Sequence, residues 1–262
     1  MTMKLSTLFS GILGFGVVGS LFSVIPLCVA ADLQTIQQRG RLIVAVKADL
    51  RPLGFRANGG QLQGLEIDIA QRLAQELLGR KDALELQTVS NPDRLAAVLG
   101  GKVDITIAHV TGTSLRSRLV SLSVPYYLDG TALVTRDASV QRMADVGKRT
   151  IAVLDGSSTI ATLRYRLPEA NLISVSSYDA AHTLLEKGDA IAFAGDASVL
   201  TGWVQEFPSY RLLTPTLSAE PLCIVMPKGL QYTDLHSRIN QIIARWTAED
   251  WLRERATYWG LP

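Results

Sequence analysis

The feature that most constrains the fold is an alternation of buried strands and amphipathic helices that fills residues 41–116. Residues 42–46 are continuously apolar, as in a strand buried within a parallel sheet. Residues 65–78 carry paired apolar positions at helical spacing and stop at Gly79, which indicates an amphipathic helix. Residues 84–89 alternate like a strand. The order of these elements predicts an α/β fold with a parallel sheet.

The same alternation returns in the second half of the chain. Residues 150–154 and 190–194 are apolar and predict strands, and Ser177 can cap a helix that runs to Lys187 and ends at Gly188. The two sets together predict two α/β lobes. A final helix is predicted from four apolar residues at helical spacing, Leu235, Ile239, Ile243 and Trp246.

Two connections in the first half are predicted from their breakers and caps. Residues 47–55 contain Pro52 and Gly54, which indicates a loop. Asn91 can cap a helix that has Pro92 in its first turn. That helix is expected to end at the next glycine pair.

A strand predicted at residues 103–107 runs into the hydroxyl-rich sequence Thr111-Gly-Thr-Ser114, with Arg116 two residues further on. The hydroxyl groups can cap a short helix that starts at Leu115. A helix N-terminus offers free N–H groups, and a guanidinium matches a carboxylate with two parallel hydrogen bonds. The pattern predicts a site for the carboxylate of a small molecule. The alternative is a capped surface turn with a solvated Arg116.

Three polar residues lie just past the ends of predicted strands: Thr111, Ser157 and Asp196. Ligands of open α/β sheets bind outside the carboxyl ends of the strands. Loops from two such lobes would face each other and form a cleft. Asp196 can also act as a helix cap, and that alternative stays open.

Residues 1–31 have the pattern of a secretory signal peptide. Lys4 precedes a long uncharged apolar stretch, and small residues at positions 28–31 fit a cleavage site. The alternative is an uncleaved anchor in the inner membrane, because the apolar run is long enough to span a bilayer.

Cys28 also raises the alternative of a lipid anchor, although Leu27 is larger than the residue usual before such a cysteine. Once the signal peptide is removed, Cys223 is the remaining cysteine, so neither an internal disulfide nor a cysteine-based metal cluster is expected. The formal net charge of +2 comes without a basic run, so nucleic acid is not an expected partner.

Several short sequences occur in a characteristic order along the chain. They are Arg39-Gly-Arg-Leu-Ile-Val-Ala-Val46, Gly64-Leu-Glu-Ile-Asp68, Gly101-Lys-Val-Asp-Ile105, Thr111-x-Thr-x-x-Arg116, Pro125-Tyr-Tyr127, Ile151-Ala-Val153, residues 188–196 and residues 221–229. In order and spacing, residues 33–260 resemble the family 3 solute-binding proteins of bacterial amino-acid ABC importers. The match is specific because it extends over nearly the whole mature chain.

The resemblance implies an α/β, two-lobe periplasmic-binding-protein-like fold of type II. Lobe 1 would contain residues 32–126 and 225–262, and lobe 2 would contain residues 132–220. Two crossing segments, residues 127–131 and 221–224, would form the hinge. Lobes of this kind close around a ligand by hinge motion.

The resemblance also implies the residues that bind an amino acid. The α-carboxylate would be bound by Arg116, Thr111, Ser157 and Ser158. The α-ammonium would be bound by the carboxylate of Asp196 with help from the backbone carbonyl of Ala108. A zwitterion needs one cationic and one anionic group at this separation.

The sequence departs from the family at four positions of the side-chain pocket: Lys47, Leu50, Asn91 and His109. Many members carry aromatic residues at the second and third of these positions, Asp or Arg at the first, and a small residue at the fourth. Together with Arg51 and Arg94, these residues favour an acidic or polar amino acid. The alternative is that the long basic side chains point to solvent.

The function implied by the resemblance is binding of an amino acid in the periplasm and its delivery to an ABC permease in the inner membrane. We expect a monomer that needs no cofactor or metal. One alternative is a dehydratase of the same fold that acts on an aromatic-amino-acid precursor, with His109 and Asp196 as candidates for proton transfer. Another is a ligand-sensing module for a separate receptor.

Overall fold

The computed structural model describes residues 30–262. The predicted signal peptide therefore lies outside the described residues, apart from its last two positions. Within residues 30–262, no helix is long and apolar enough to cross a membrane.

The helices and strands alternate through most of the described chain. The helices are α1 (Leu33–Arg39), α2 (Leu65–Leu78), α3 (Asp93–Leu99), α4 (Arg116–Leu119), α5 (Thr159–Arg166), α6 (Tyr178–Lys187), α7 (Ala197–Glu206), α8 (Thr233–Ala248) and α9 (Trp251–Tyr258). The strands are β1 (Leu42–Val46), β2 (Asp49–Leu50), β3 (Gly54–Arg56), β4 (Leu62–Gln63), β5 (Leu84–Thr88), β6 (Ile105–Ile107), β7 (Ser121–Leu122), β8 (Tyr127–Asp129), β9 (Thr131–Thr135), β10 (Thr150–Leu154), β11 (Asn171–Val175), β12 (Ala192–Asp196), β13 (Arg211–Leu213), β14 (Glu220–Leu222) and β15 (Val225–Met226).

The first lobe is built on a sheet of order β5-β1-β6-β15-β7, with helices α1–α4, α8 and α9 and the small sheet β2-β3-β4. β1 is parallel to β5 and β6, whereas β15 is antiparallel to β6. The apolar face of α8 packs on α2, and Trp246 is fully buried between them. This packing joins the C-terminal part of the chain to the first lobe.

The second lobe is built on a sheet of order β11-β10-β12-β9-β13, with helices α5–α7. β10 is parallel to β11 and β12, and β9 runs antiparallel to β12. An apolar cluster around Phe193 and Trp203 covers one face of the sheet, and a second cluster around Ile151 and Leu163 covers the other. Both faces of this sheet are buried, as its continuous apolar strands predict.

Two segments of the chain cross between the lobes. β8 and β14 pair with each other as an antiparallel two-stranded sheet, with Leu128 opposite Pro221. The segments lie within or beside the ranges that the sequence predicts as the hinge, and their action as a hinge stays a prediction.

The sequence predicts several helix ends correctly. Ser177 caps α6 by accepting a hydrogen bond from the N–H of Ala180 at 3.1 Å, and α2 ends at Gly79. Gly188 ends α6 at a φ of 77°, a left-handed conformation that glycine adopts without steric cost.

Three local predictions are wrong. Residues 47–55 are not a loop throughout, because β2 and β3 form a short antiparallel pair there. Helix α3 begins at Asp93 and is preceded by Pro92, so Asn91 is not its cap. Helix α4 begins one residue later than predicted, at Arg116.

Candidate functional site

Arg94 on α3 contacts two residues of the predicted site that directly follow β6. Nη1 of Arg94 donates hydrogen bonds to the carbonyl of Ala108, at 3.1 Å, and to the carbonyl of His109. Its Nε donates to the carbonyl of Asn91 at 3.1 Å. Burial lowers the pKa of Arg94, and the positive charge of Arg116 lowers it further. Arg94 therefore points inward, and two guanidinium groups share one region.

The turn at residues 111–114, where the sequence predicts a carboxylate site, is called the anion turn below. Its capacity to bind an anion depends on Arg116 more than on a helix end. The hydroxyl of Thr113 accepts a hydrogen bond from the N–H of Arg116 at 3.3 Å, while Nη1 of Arg116 donates to the carbonyl of Thr111 at 2.6 Å. Helix α4 has four residues, so its dipole is small. Any affinity for a carboxylate at this turn comes mainly from the guanidinium. A bridge between Thr111 and Leu222 ties the turn to the second crossing segment.

His109 lies between the two lobes. Its backbone N–H donates to Oε1 of Glu66 at 2.6 Å, and its φ is 52°. Nε2 of its ring lies 3.1 Å from Oδ2 of Asp129 on β8 and 3.7 Å from Oδ2 of Asp196 at the end of β12. The histidine thus links the first lobe to a crossing segment and to the second lobe.

The carboxylate of Asp129 is buried and fully engaged in hydrogen bonds. Its Oδ1 accepts from the N–H of Gly130 at 2.8 Å and of Ser198 at 3.0 Å, and its Oδ2 accepts from the Ser198 hydroxyl. Burial acts to raise the pKa of Asp129, but hydrogen bonds from His109 and Ser198 bring it below its usual range. Burial likewise acts to lower the pKa of His109, but Asp129 raises it overall. The two side chains form an ion pair.

This group is not arranged as a Ser-His-Asp triad. In a triad, the serine and the aspartate contact different nitrogens of the histidine ring. Here Asp129 and Ser198 both lie beside Nε2 of His109, at 3.1 Å and 3.4 Å, and Ser198 is fully buried. Nucleophilic attack by Ser198 is not supported by this geometry.

Asp196 faces the same region from the second lobe. Burial raises its pKa to about 6, His109 opposes that rise, and the negative charge of Asp129 adds to it. Asp196 directly precedes α7, but its side chain makes no capping hydrogen bond. The capping role that the sequence allows for Asp196 is therefore wrong.

Glu66 is a buried member of the site that the sequence analysis does not assign. Its Oε1 accepts from the Tyr126 hydroxyl at 2.6 Å as well as from His109, and burial raises its pKa. Oε2 of Glu66 has no hydrogen-bond partner. The glutamate holds the end of β6 against the start of the first crossing segment. Its place in the Gly64-Leu-Glu-Ile-Asp68 sequence was the one signal that could have indicated it.

The basic residues near β2 take two different positions. Lys47 is buried, with 5% of its surface exposed, and its Nζ lies 2.9 Å from Oδ1 of Asp49. The solvent-facing alternative is therefore wrong for Lys47. The guanidinium of Arg51 is exposed and lies 3.8 Å from the centre of the Phe55 ring. Through this cation–π contact Arg51 stabilises the hairpin formed by β2 and β3.

The two serines of the predicted carboxylate site precede α5. The Ser157 hydroxyl accepts a hydrogen bond from the N–H of Thr159 at 3.2 Å. Ser158 is exposed and makes no side-chain capping bond. One hydroxyl thus fixes the turn, and the other faces solvent.

A cavity of about 390 Å³ opens between the β2 turn of the first lobe and helices α6 and α7 of the second. Leu50 and Arg51, both named in the sequence analysis, line it together with aromatic side chains such as Tyr178 and Trp203. Burial and the charge of Asp196 raise the pKa of Tyr178. Tyr178 thus lines the cavity and senses the negative charge of Asp196. Within residues 30–262, no group of three or more His, Cys, Asp or Glu side chains could hold a metal ion.

The sequence model of the bacterial extracellular solute-binding proteins, family 3, matches residues 42–262. The chain belongs to this family. A glutamine-binding protein of Geobacillus stearothermophilus is 34% identical over 192 residues, which are 72% of this chain and 73% of the relative. The ABC transporter glutamine-binding protein GlnH of Bacillus subtilis (strain 168) is 26% identical over 232 residues, with 83% and 85% covered.

Solved structures confirm the type II periplasmic-binding-protein fold of this family member. A solute receptor for L-cysteine from Neisseria gonorrhoeae aligns with a TM-score of 0.66 and 27% identity, over 87% of this chain and 93% of the receptor. An ancestral cationic amino acid solute binding protein aligns with a TM-score of 0.73 and 24% identity, over 87% and 98%. These relatives are named as binding proteins rather than enzymes.

Proposed function

We propose that this protein binds a free amino acid between its two lobes in the periplasm and delivers it to an ABC permease of the inner membrane. The observation that carries the proposal is the arrangement of opposite charges across the cleft. Asp196 of the second lobe lies 3.7 Å from His109 of the first, and the positive charges of Arg94 and Arg116 are close enough to each other that Arg116 lowers the pKa of Arg94. A zwitterion bridging the two lobes would meet one anionic and one cationic partner.

The ends of the ligand follow from this polarity. Arg116 binds the α-carboxylate, with Thr111, Ser157 and Ser158 as further donors. Asp196 binds the α-ammonium, and the carbonyl of Ala108 accepts a second hydrogen bond. Arg94 also donates to that carbonyl, and a carbonyl oxygen with two lone pairs can accept both hydrogen bonds.

The side-chain pocket favours a polar or acidic amino acid. Lys47 and Arg94 supply buried or half-buried cations, whereas Leu50 and Asn91 supply no aromatic surface. Such groups hydrogen-bond to an amide or a carboxylate and repel a basic side chain. Glutamine and glutamate are the first candidates, and two relatives are named for the binding of glutamine.

The ligand contacts both lobes when they are closed, so it shifts the protein towards the closed form by its higher affinity for that form. The permease can then distinguish the loaded protein by its closed surface. We propose that the loaded protein acts as a monomer and that an N-terminal signal peptide directs it to the periplasm.

The test is a thermal-shift screen of the purified protein against the twenty amino acids and prephenate. A ligand at 100 times its Kd stabilises by about 2.7 kcal/mol, which is roughly a 5–10 °C shift for a chain of this size. We expect a shift with glutamine, glutamate or aspartate, and none with Arg116→Ala. Arg118→Ala, two residues along the same helix, is the matched control and should behave like wild type. No shift with any amino acid would reject the proposal, and consumption of prephenate would indicate a dehydratase instead.

A further inference from the structure

The backbone of His109 is held in a conformation that few residues adopt. A φ of 52° lies in the left-handed region, where a side chain with a Cβ is strained. Two contacts hold it there, one from its N–H to Glu66 and one from Arg94 to its carbonyl. Such strain persists where the surrounding structure fixes it, and it is common at functional sites.

The strained backbone places the ring against two carboxylates. Nε2 lies 3.1 Å from Asp129 and 3.7 Å from Asp196. Asp129 is fixed by the backbone N–H groups of Gly130 and Ser198, so it cannot move away from the ring. Asp196 has no such anchor from the N-terminus of α7. The position of the Asp196 carboxylate is therefore set largely by the histidine.

We propose that His109 is a positioning residue for ligand binding, whose imidazolium neutralises Asp129 and keeps the Asp196 carboxylate charged and oriented towards the cleft. This inference rests on the proposed function, because it assigns the ligand ammonium to Asp196. Two carboxylates and one imidazolium leave one negative charge in this group. A single ammonium from the ligand completes the balance, as a buried charge requires.

The charged groups around the ring come from every element packed against it: Glu66 on α2, Arg94 on α3, Asp129 on β8 and Asp196 on β12. Three of the four are carboxylates, and they favour the imidazolium although burial opposes it. The negative charge of Glu220 on β14 also raises the pKa of Asp196. His109 is the strongest influence that opposes the effect of burial on Asp196.

The distinguishing consequence is a shift in pH dependence. An uncharged residue at position 109 removes the attraction that keeps Asp196 ionised. The Asp196 carboxylate then becomes protonated at a higher pH, and a protonated carboxyl group no longer attracts the ligand ammonium. A residue with a purely structural role would weaken binding by the same factor at every pH. His109→Asn is the suitable variant, because asparagine tolerates the left-handed backbone.

The experiment is calorimetric titration of wild type and His109→Asn with L-glutamine from pH 5.5 to pH 8. We expect the midpoint of the acid-induced loss of binding to rise by about one pH unit in His109→Asn. Apart from any loss of affinity that is the same at every pH, this shift weakens binding roughly 5-fold at pH 6 and less than about 2-fold at pH 8. His236→Asn, a histidine on α8 bonded to the Leu122 carbonyl, should keep the wild-type midpoint. An unchanged midpoint in His109→Asn would overturn the inference.

A second measurement needs no ligand. The carboxyl carbon of Asp196 is titrated by NMR in wild type and His109→Asn, with Asp196→Asn used to assign the signal. An upward shift of the pKa supports the role of His109, and an unchanged pKa rejects it, even if the wild type binds no amino acid and the proposed function fails. If His109→Asn does not fold, His109→Gly replaces it, because glycine adopts this φ without strain.

Discussion

Gly202 of α7 lies directly against the backbone carbonyl of Arg51, so that a Cβ at Gly202 would sit 2.3 Å from that oxygen. The contact joins the second lobe to the hairpin of the first. A second contact between the lobes is a hydrogen bond that Nε2 of Gln205 donates to the carbonyl of Trp259 at 2.8 Å. Both contacts join the two lobes, and both would be lost if the lobes separated.

Gly202→Ala should therefore weaken ligand binding without unfolding the protein. The added methyl group clashes with a backbone atom when the lobes are closed, whereas alanine favours the helix by up to about 1 kcal/mol. We expect a roughly 10-fold loss of affinity for L-glutamine, measured by calorimetry, and an unchanged or higher Tm without ligand.

The matched control for that variant is Gly195→Ala, where a Cβ would lie 3.6 Å from Leu200, an ordinary van der Waals distance. It should bind like wild type. If Gly202→Ala also kept the wild-type affinity, closure would not bring α7 against Arg51 during binding.

Asp196→Asn should abolish binding and stabilise the ligand-free protein. The folded form holds the pKa of Asp196 at about 6, above its ordinary value of 3.8. The stability that this carboxyl contributes is thus present below pH 3.8 and is lost as the pH rises through about 6. At pH 7.5 we expect the free energy of unfolding of the variant to exceed that of wild type by roughly 1–2 kcal/mol.

Urea denaturation at pH 7.5 and at pH 4 measures this difference, which should shrink at the lower pH. Asp189→Asn, an exposed carboxyl just before β12, is the control and should leave stability nearly unchanged. An Asp196→Asn variant that binds L-glutamine normally would contradict the assignment of the ammonium site.

Asp129→Asn should have the opposite effect on stability. Its pKa is lowered in the folded protein, so its contribution is present above its ordinary value of 3.8 and is lost as the pH falls below that value. The variant leaves His109 without its buried partner, which typically costs about 3 kcal/mol at neutral pH. Unfolding in urea at pH 7 and pH 3 should show a large loss at the first and a smaller one at the second; equal losses would disprove the ion pair.

The order of strands and helices could be predicted because the spacing of apolar residues over short stretches of the chain indicates each element. The apolar faces of α2 and α8 and the cap at Ser177 depend on residues within one or two turns. Helix α7 was not predicted, because Gly202 in its interior is a poor helix former and tertiary packing outweighs that propensity. The β2–β3 pair was missed for a similar reason, since Pro52 and Gly54 lie in and beside its turn.

Arg116, His109 and Asp196 could be named from the sequence. Glu66 and Asp129 could not, and neither could the contacts that these charged residues make. Asp129 meets Ser198, 69 positions away, and Glu66 meets His109, 43 positions away. Contacts at such separations depend on the tertiary packing of elements that are distant in the sequence, which no local pattern encodes. Arg94 is the clearest case. The sequence allows its side chain either to point to solvent or to line the pocket, and the structure shows it partly buried and bonded to the carbonyl of Ala108.

The joint between the anion turn and the second crossing segment gives a last prediction. A Cβ at Gly112 would lie 2.8 Å from Sγ of Cys223, and the N–H of Gly112 donates to the carbonyl of Pro221 at 2.7 Å. Gly112→Ala should cost about 1–3 kcal/mol by overpacking, and Cys223→Ala about 1 kcal/mol by leaving a small cavity. Because the methyl group can occupy the space of the thiol, the double variant should be more stable than the sum predicts by at least about 1 kcal/mol. Urea denaturation of the four proteins measures this coupling, and the distant pair Gly59→Ala with Cys223→Ala should be additive. Additivity for Gly112 and Cys223 as well would show that the turn moves away from the crossing segment at little cost.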